Sequence, residues 1–219
     1  MSLKILKRTL STGKQREIVK FYYDFKSPYS YLAFEPALQL EKDFPIKLRI
    51  LPWPFRTEEM FGGKVEERTR LNWNKVRYLY LDCRRFANER NLIIRGPERL
   101  FDSRLSMTVG LLAEKRNCFR SYAQLTFEQF FNRQLNLENL QELFENLSKA
   151  SNRTIQMNEL EEFLANEGRN QYDSIQKEAE EDKVFGVPMF VFRGEPFWGH
   201  DRLNWLRKRL ETFKIDSKL

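Results

Sequence analysis

Two cysteines and a single histidine are all that this chain of 219 residues holds of the residue types that most often carry redox and metal chemistry. Cys83 and Cys118 lie far apart in helix-like sequence, which leaves neither a disulfide framework nor a Cys-x-x-Cys redox pair. His200 alone cannot supply a multi-histidine metal site or a histidine-based triad, so no metal is expected. No apolar run approaches the roughly 20 residues that span a bilayer, and the N-terminus lacks the apolar centre of a secretion signal. Long Gly, Ser, Pro or Gln tracts are missing too, which argues against wholesale disorder. These absences exclude a disulfide-stapled secreted domain and a helical membrane protein, and leave an ordered, soluble, intracellular chain as the expectation.

What is present is an ordinary globular composition, 41% hydrophobic and 32% charged, with a formal net charge of +7. That excess is local. Lys4, Lys7, Arg8, Lys14 and Arg16 all precede the first acidic residue, Glu17, so residues 1–16 read as a basic tail and the remainder is nearly neutral. A nucleic-acid groove would need the charge on a folded face, so no nucleic-acid partner is expected.

Along the chain, "EIVKFYYD" (17–24) has the apolar and aromatic character of a buried strand, and "SPYSYLAFEPALQLEKDF" then shifts to helical spacing. Pro28 suits the first helical position and Ser27 the N-cap before it. "IKLRIL" (46–51) alternates as a second strand, which makes a parallel crossover unit with the first. From about 66 to 183 six segments read as helices, with Asp102 and Asn136 placed as N-caps and Asn91, Asn117 and Gly168 as stops. "VFGVPMFVFRGEPFWGHDRLNWLRKRLETF" returns to strand, turns tightly at Arg193 to Glu195, and closes with a helix carrying Leu203, Leu206 and Leu210 on one face. The pattern gives an α/β sheet core, at 17–60 and 184–214, interrupted by an all-helical segment at 61–183.

Three stretches bear on chemistry. In "DFKSPYSYLA" (24–33) a turn enters a helix N-terminus, where free amides and a partial positive charge favour an anion. Redox enzymes place a cysteine there, its thiol pKa lowered by the same field. Ser27 cannot do redox chemistry, but its hydroxyl can donate to a thiolate brought by a ligand, or simply cap the helix. "FGVPMFVF" (185–192) sets Val187 before Pro188, a bond with cis potential, and leaves the Val187 backbone able to pair with an extended ligand. In "FWGHDRL" (197–203), Asp201 and Arg202 either cap a helix and face solvent, or hold the amino and carboxylate groups at one end of a ligand.

"FYYDFKSPYSYLA" and "KVFGVPMFVFRGEPFWGHDRLNWL" resemble the two signatures of 2-hydroxychromene-2-carboxylate isomerases, relatives of kappa-class glutathione transferases; "KVRYLYLDCRRFANERNLII" is a looser match. The resemblance implies a DsbA-like thioredoxin fold with an all-helical domain inserted between the βαβ and ββα halves, assembled as a homodimer. It implies glutathione as cofactor, with Ser27 at its sulfur, Val187 at the cysteinyl part, Asp201 and Arg202 near the γ-glutamyl end, and Pro188 and His200 also among the cofactor-binding residues. The implied activity is a glutathione-dependent isomerase, working by reversible thiol addition to an aromatic pyruvate, or a kappa-like glutathione transferase acting on a small aromatic electrophile, with Arg104 in "FDSRLSM" as the cation for developing charge; its bland alternative is a helix-face arginine. A non-catalytic module that binds glutathione or a peptide is the alternative function. The family usually carries a Gly-Asn-x-Pro-Pro stretch where this chain reads "PWPFRTEEMFGGKVEERTRLNW". Tyr29, Trp53, Phe55 and Trp73 are the candidates for an aromatic substrate pocket, though tryptophan more often packs. Ser217-Lys218-Leu219 is a peroxisomal tripeptide if the source is eukaryotic; otherwise the cytoplasm is expected.

Overall fold

A computed structural model of the chain describes residues 16–55 and 70–216, with backbone alone for 70–72 and 214–216. The order begins β1 (Glu17–Tyr23), α1 (Pro28–Asp43), β2 (Ile46–Pro52). Six helices follow: α2 (Arg70–Glu89), α3 (Arg104–Lys115), α4 (Phe119–Phe131), α5 (Leu140–Ala150), α6 (Met157–Ala165) and α7 (Glu167–Glu181). The chain then returns through β3 (Met189–Phe192), β4 (Glu195–Trp198), a 3-10 turn (His200–Arg202) and α8 (Leu203–Asp216).

The four strands lie in the order β2-β1-β3-β4. β1 and β2 are parallel, from Glu17 opposite Ile46 to Tyr23 opposite Pro52. β3 runs antiparallel to β1, with Phe21 opposite Phe190, and β4 antiparallel to β3. Arg193 and Gly194, at φ 53° and 79°, make the two-residue turn between them; positive φ at both central positions matches the twist of a hairpin, and glycine adopts it without a Cβ clash.

Because successive strand residues point to opposite faces, β1 divides its chemistry. Val19, Phe21 and Tyr23 are buried on one side, where Phe21 stacks on Phe190 and Tyr23 meets Phe119 and Phe127 of α4 edge-on. On the other side Lys20 and the Tyr22 hydroxyl reach Asp182 at 2.6 Å, and Lys20 and Arg49 both reach Glu178 of α7. Tyr31 of α1 stacks on Phe127 and Phe131. The helical segment and the sheet therefore share one buried core. Leu203, Leu206 and Leu210 of α8 are buried in it as their spacing predicts.

Helix ends follow the sequence expectations in part. Asn91 and Asn117 do end α2 and α3, at φ 54° and 57°. Asp102 lies one residue short of the cap, which is Ser103, and instead accepts from the Arg104 amide at 2.9 Å. The cap of α5 is Asn139, not Asn136, its side chain accepting from the amides of Gln141 and Glu142; Asn136 forms the turn before it, accepting from the Glu138 amide. Gly168 ends no helix. It sits in the first turn of α7 because a Cβ there would lie 2.7 Å from the Phe163 ring, so glycine is required by close approach and not by a cap.

Candidate functional site

β1 delivers the chain to a tight turn at Asp24–Ser27. Ser27 adopts the extended geometry of an N-cap, and its Oγ accepts from the Ser30 amide at 3.2 Å. The same hydroxyl donates to the Val187 carbonyl at 3.4 Å, across 160 residues of sequence. Ser30 turns inward, its Oγ accepting from the Asp24 amide at 3.4 Å. Asp24 is fully buried and accepts from the amides of Lys26 (3.0 Å) and Phe55 (2.7 Å). Burial pushes its carboxyl pKa up, against the opposing pull of the Lys26 charge and these amides.

Val187–Pro188 is cis, and the Pro188 carbonyl accepts from the Gly199 amide at 2.9 Å, which ties the 3-10 turn to this loop. The Val187 amide has no hydrogen-bond partner among the described residues. Ser27, Val187, Pro188, His200, Asp201 and Arg202 meet at a cavity of about 520 Å³. Phe55, Phe86, Phe101, Phe130 and Trp198 give it aromatic walls, and Leu79 and Leu100 add to them.

His200 stacks on Tyr29 with centroids 5.1 Å apart and takes the edge of Phe86 at 4.5 Å. Its Nε2 is buried without a hydrogen-bond partner, and burial holds the imidazole pKa below its ordinary value. The Tyr29 hydroxyl donates to Asp82 at 2.8 Å, and burial with that carboxylate pushes its pKa up. Asp201 pairs with Arg202 at 3.0 Å on the rim, both about half exposed. Neither cysteine is part of the site. Both are free thiols, and burial pushes Cys83 up to about 11, well away from a reactive thiolate.

The DSBA-like thioredoxin domain matches residues 18–211. The chain belongs to that family. This DSBA-like chain is 29% identical over 199 residues to a 2-hydroxychromene-2-carboxylate isomerase of Pseudomonas putida, covering 88% of this chain and 94% of that protein. It is 27% identical to the isomerase of the same name from Pseudomonas sp. strain C18, covering 92% and 93%. A solved structure of 2-hydroxychromene-2-carboxylate isomerase superposes with a TM-score of 0.73 at 24% identity, covering 92% of this chain and 98% of that one, a likeness of fold. These curated relatives are bacterial and lend no support to the peroxisomal reading of Ser217-Lys218-Leu219, which lies outside the described residues.

In the DSBA-like chain three of the residues expected at the site lie elsewhere. Arg104 opens α3 with a side chain 68% exposed, its guanidinium held by Asp102 two residues earlier, and does not line the cavity. Trp53 extends the β2 ladder, its amide donating to the Tyr23 carbonyl, and its side chain packs on the core. Trp73 belongs to the wrong ridge of α2. Lys75, Leu79, Asp82 and Phe86 line the cavity, Val76 and Tyr80 line both it and a more open depression beside it, and Trp73, Arg77 and Arg84 line that depression alone. Tyr29 and Phe55 do line the cavity. Sequence reasoning passed over Lys26, Arg99, Phe101 and Phe86. Lys26 stood inside the quoted turn motif and carried a signal; Arg99 and Phe101, on an irregular loop, carried none.

Proposed function

We propose that the chain is a glutathione-dependent isomerase of 2-hydroxychromene-2-carboxylate or a closely similar aromatic pyruvate. One observation carries the reading: serine, where a redox enzyme needs cysteine, caps α1 beside a cis Val187–Pro188 bond on an aromatic cavity. A thiol reaction here needs sulfur from a cofactor. The residues suit glutathione. The Ser27 bond to Val187 is long at 3.4 Å and is easily exchanged for a sulfur acceptor. The unpartnered Val187 amide offers the strand-like pairing an extended peptide takes. Asp201 and Arg202 present opposite charges for the ammonium and carboxylate at one end of the tripeptide.

Bound glutathione would supply a thiolate that adds to the conjugated double bond and later leaves, so that the bond turns while single and the substrate keeps all its atoms. The N-terminus of α1 favours the negative charge at Ser27. Phe55, Phe86 and Phe101 accept the aromatic ring and exclude water. His200, held neutral by burial, supports the cavity wall by stacking on Tyr29 and meeting Phe86 edge-on.

A kappa-like glutathione transferase is the second reading, favoured by the largely aromatic lining, which would also accept a neutral aromatic electrophile. The homodimer is carried with either reading and is checked by sedimentation. The deciding experiment titrates glutathione by calorimetry with the thiolate absorbance followed, then adds 2-hydroxychromene-2-carboxylate. Saturable binding, a lowered thiol pKa and conversion to the open-chain isomer are expected, with conversion lost in Ser27→Ala while stability falls only by the roughly 1 kcal/mol that loss of a helix cap costs. No binding at millimolar glutathione overturns the reading; a retained thioether product selects the transferase.

A further inference from the structure

We infer that Lys26 is the anion-binding residue of the cavity and that it receives the carboxylate of an aromatic 2-oxo acid, an inference that rests on the isomerase reading above. Lys26 immediately precedes Ser27, and the Lys26 amide is fixed on Asp24, so the turn that presents the hydroxyl also places this side chain. It lines the cavity and is only 15% exposed.

An ammonium group has three N–H donors, and here they find little. The Phe101 carbonyl accepts one at 3.3 Å, and Asp24 Oδ2 stands 3.7 Å away. That oxygen is already committed to the Phe55 amide at 2.7 Å. A largely desolvated cation with only long contacts is costly, and an incoming carboxylate would replace them with a short charge-assisted bond. Phe55 and Phe101, whose backbones bracket the Asp24–Lys26 pair, also contribute to the cavity wall, so a ring attached to that carboxylate meets aromatic surface.

The other cations are spoken for. Arg99 spreads its guanidinium over Glu138, at 2.8 and 3.0 Å, and lies 4.0 Å above the Phe101 ring. Arg202 lies beside Asp201 on the rim, 3.0 Å away, where the pair is assigned to one end of glutathione, and Arg104 is outside the cavity with Asp102. Lys75 also lines the cavity, from α2, and serves as the control. Lys26 thus takes the role that sequence reading had given to Arg104.

The test needs no glutathione. Tryptophan fluorescence follows binding of trans-benzylidenepyruvate and of its methyl ester, which has the same ring and no charge. Wild type should prefer the acid by about tenfold or more, the usual worth of a hydrogen bond to a charged group. Lys26→Arg should keep the preference, and Lys26→Met should bind both alike. Because Lys26→Met leaves Asp24 buried beside no cation, the double variant Asp24→Asn/Lys26→Met, which removes both charges, should lose the preference as well. Equal binding of acid and ester by wild type overturns the inference. So does a preference that survives in Lys26→Met, or one that disappears in Lys75→Met while Lys26→Met keeps it. If the acid preference follows Lys26 but wild type does not turn over the chromene, the isomerase reading fails and the aromatic-acid site stands. Turnover of the chromene with unchanged KM in Lys26→Met sinks the Lys26 assignment alone.

Discussion

At the scale of single residues, burial decides what each polar group does. His200 is the one histidine in the chain, so its titration can be read without interference from another imidazole. Its folded pKa lies below 6.5 because burial outweighs the attraction of Asp201 and Asp82, with Arg90 adding to the burial effect. As pH falls through the unfolded value, the unfolded chain takes up a proton that the folded chain refuses, so the contribution of His200 to stability is present above that value and is lost on acidification. Below the folded pKa both states are protonated and no further loss accrues. Melting curves between about pH 7.5 and about pH 5.5 should therefore fall more steeply for wild type than for His200→Gln; parallel slopes would contradict the buried neutral imidazole. Residue by residue, the site was half legible. Ser27 and Pro188 were legible as a helix cap and an X-Pro bond, which are local features, and Val187, Asp201 and Arg202 came with the stretches around them, though Asp201 pairs with Arg202 and caps no helix. Arg104 misled because its partner, Asp102, is a matter of side-chain geometry two residues away and leaves no periodic trace.

At the scale of elements, the strands and helices were almost wholly legible: β1 from its apolar and aromatic run, β2 from a period of two, and the helices and the leucines of α8 from a period of three to four. The exceptions are informative. Trp73 and Lys75 are two residues apart, so they occupy different ridges of α2, and only the packing of that helix decides which ridge meets the cavity. Gly168 was taken for a stop because glycine often ends helices, whereas its role is set by Phe163 on the preceding helix. An added methyl there would also lie 2.9 Å from the Phe163 carbonyl, which is backbone and cannot swing aside. Gly168→Ala should cost about 1–3 kcal/mol by overpacking, read by urea denaturation, while the helical signal in circular dichroism stays unchanged. A neutral substitution would mean that α6 and α7 shift apart freely.

For the whole molecule, the aromatic seam matters more than the boundary between sheet and helices. Tyr23 of β1 and Phe25 of the turn meet Phe119, Phe127 and Tyr122 of the helical segment, so neither part can bury its own aromatic face without the other. Chemical unfolding should then be cooperative, with tryptophan fluorescence and far-UV circular dichroism tracing the same transition. Two separated midpoints would show that the segments fold independently. A boundary read from composition at residue 61 or 183 could not have carried that information, because the contacts that join the parts are distant in sequence.

The hydroxyl of Ser27 bonded to the carbonyl of Val187, 160 residues away, has a consequence for biosynthesis. During translation at roughly 5–20 residues per second, the turn is made about ten to thirty seconds before its counterpart. Through that interval the nascent chain carries the cap without the cis-proline loop, and so lacks half of the groove. The cavity lined by both segments is therefore completed only after the returning strand has been made.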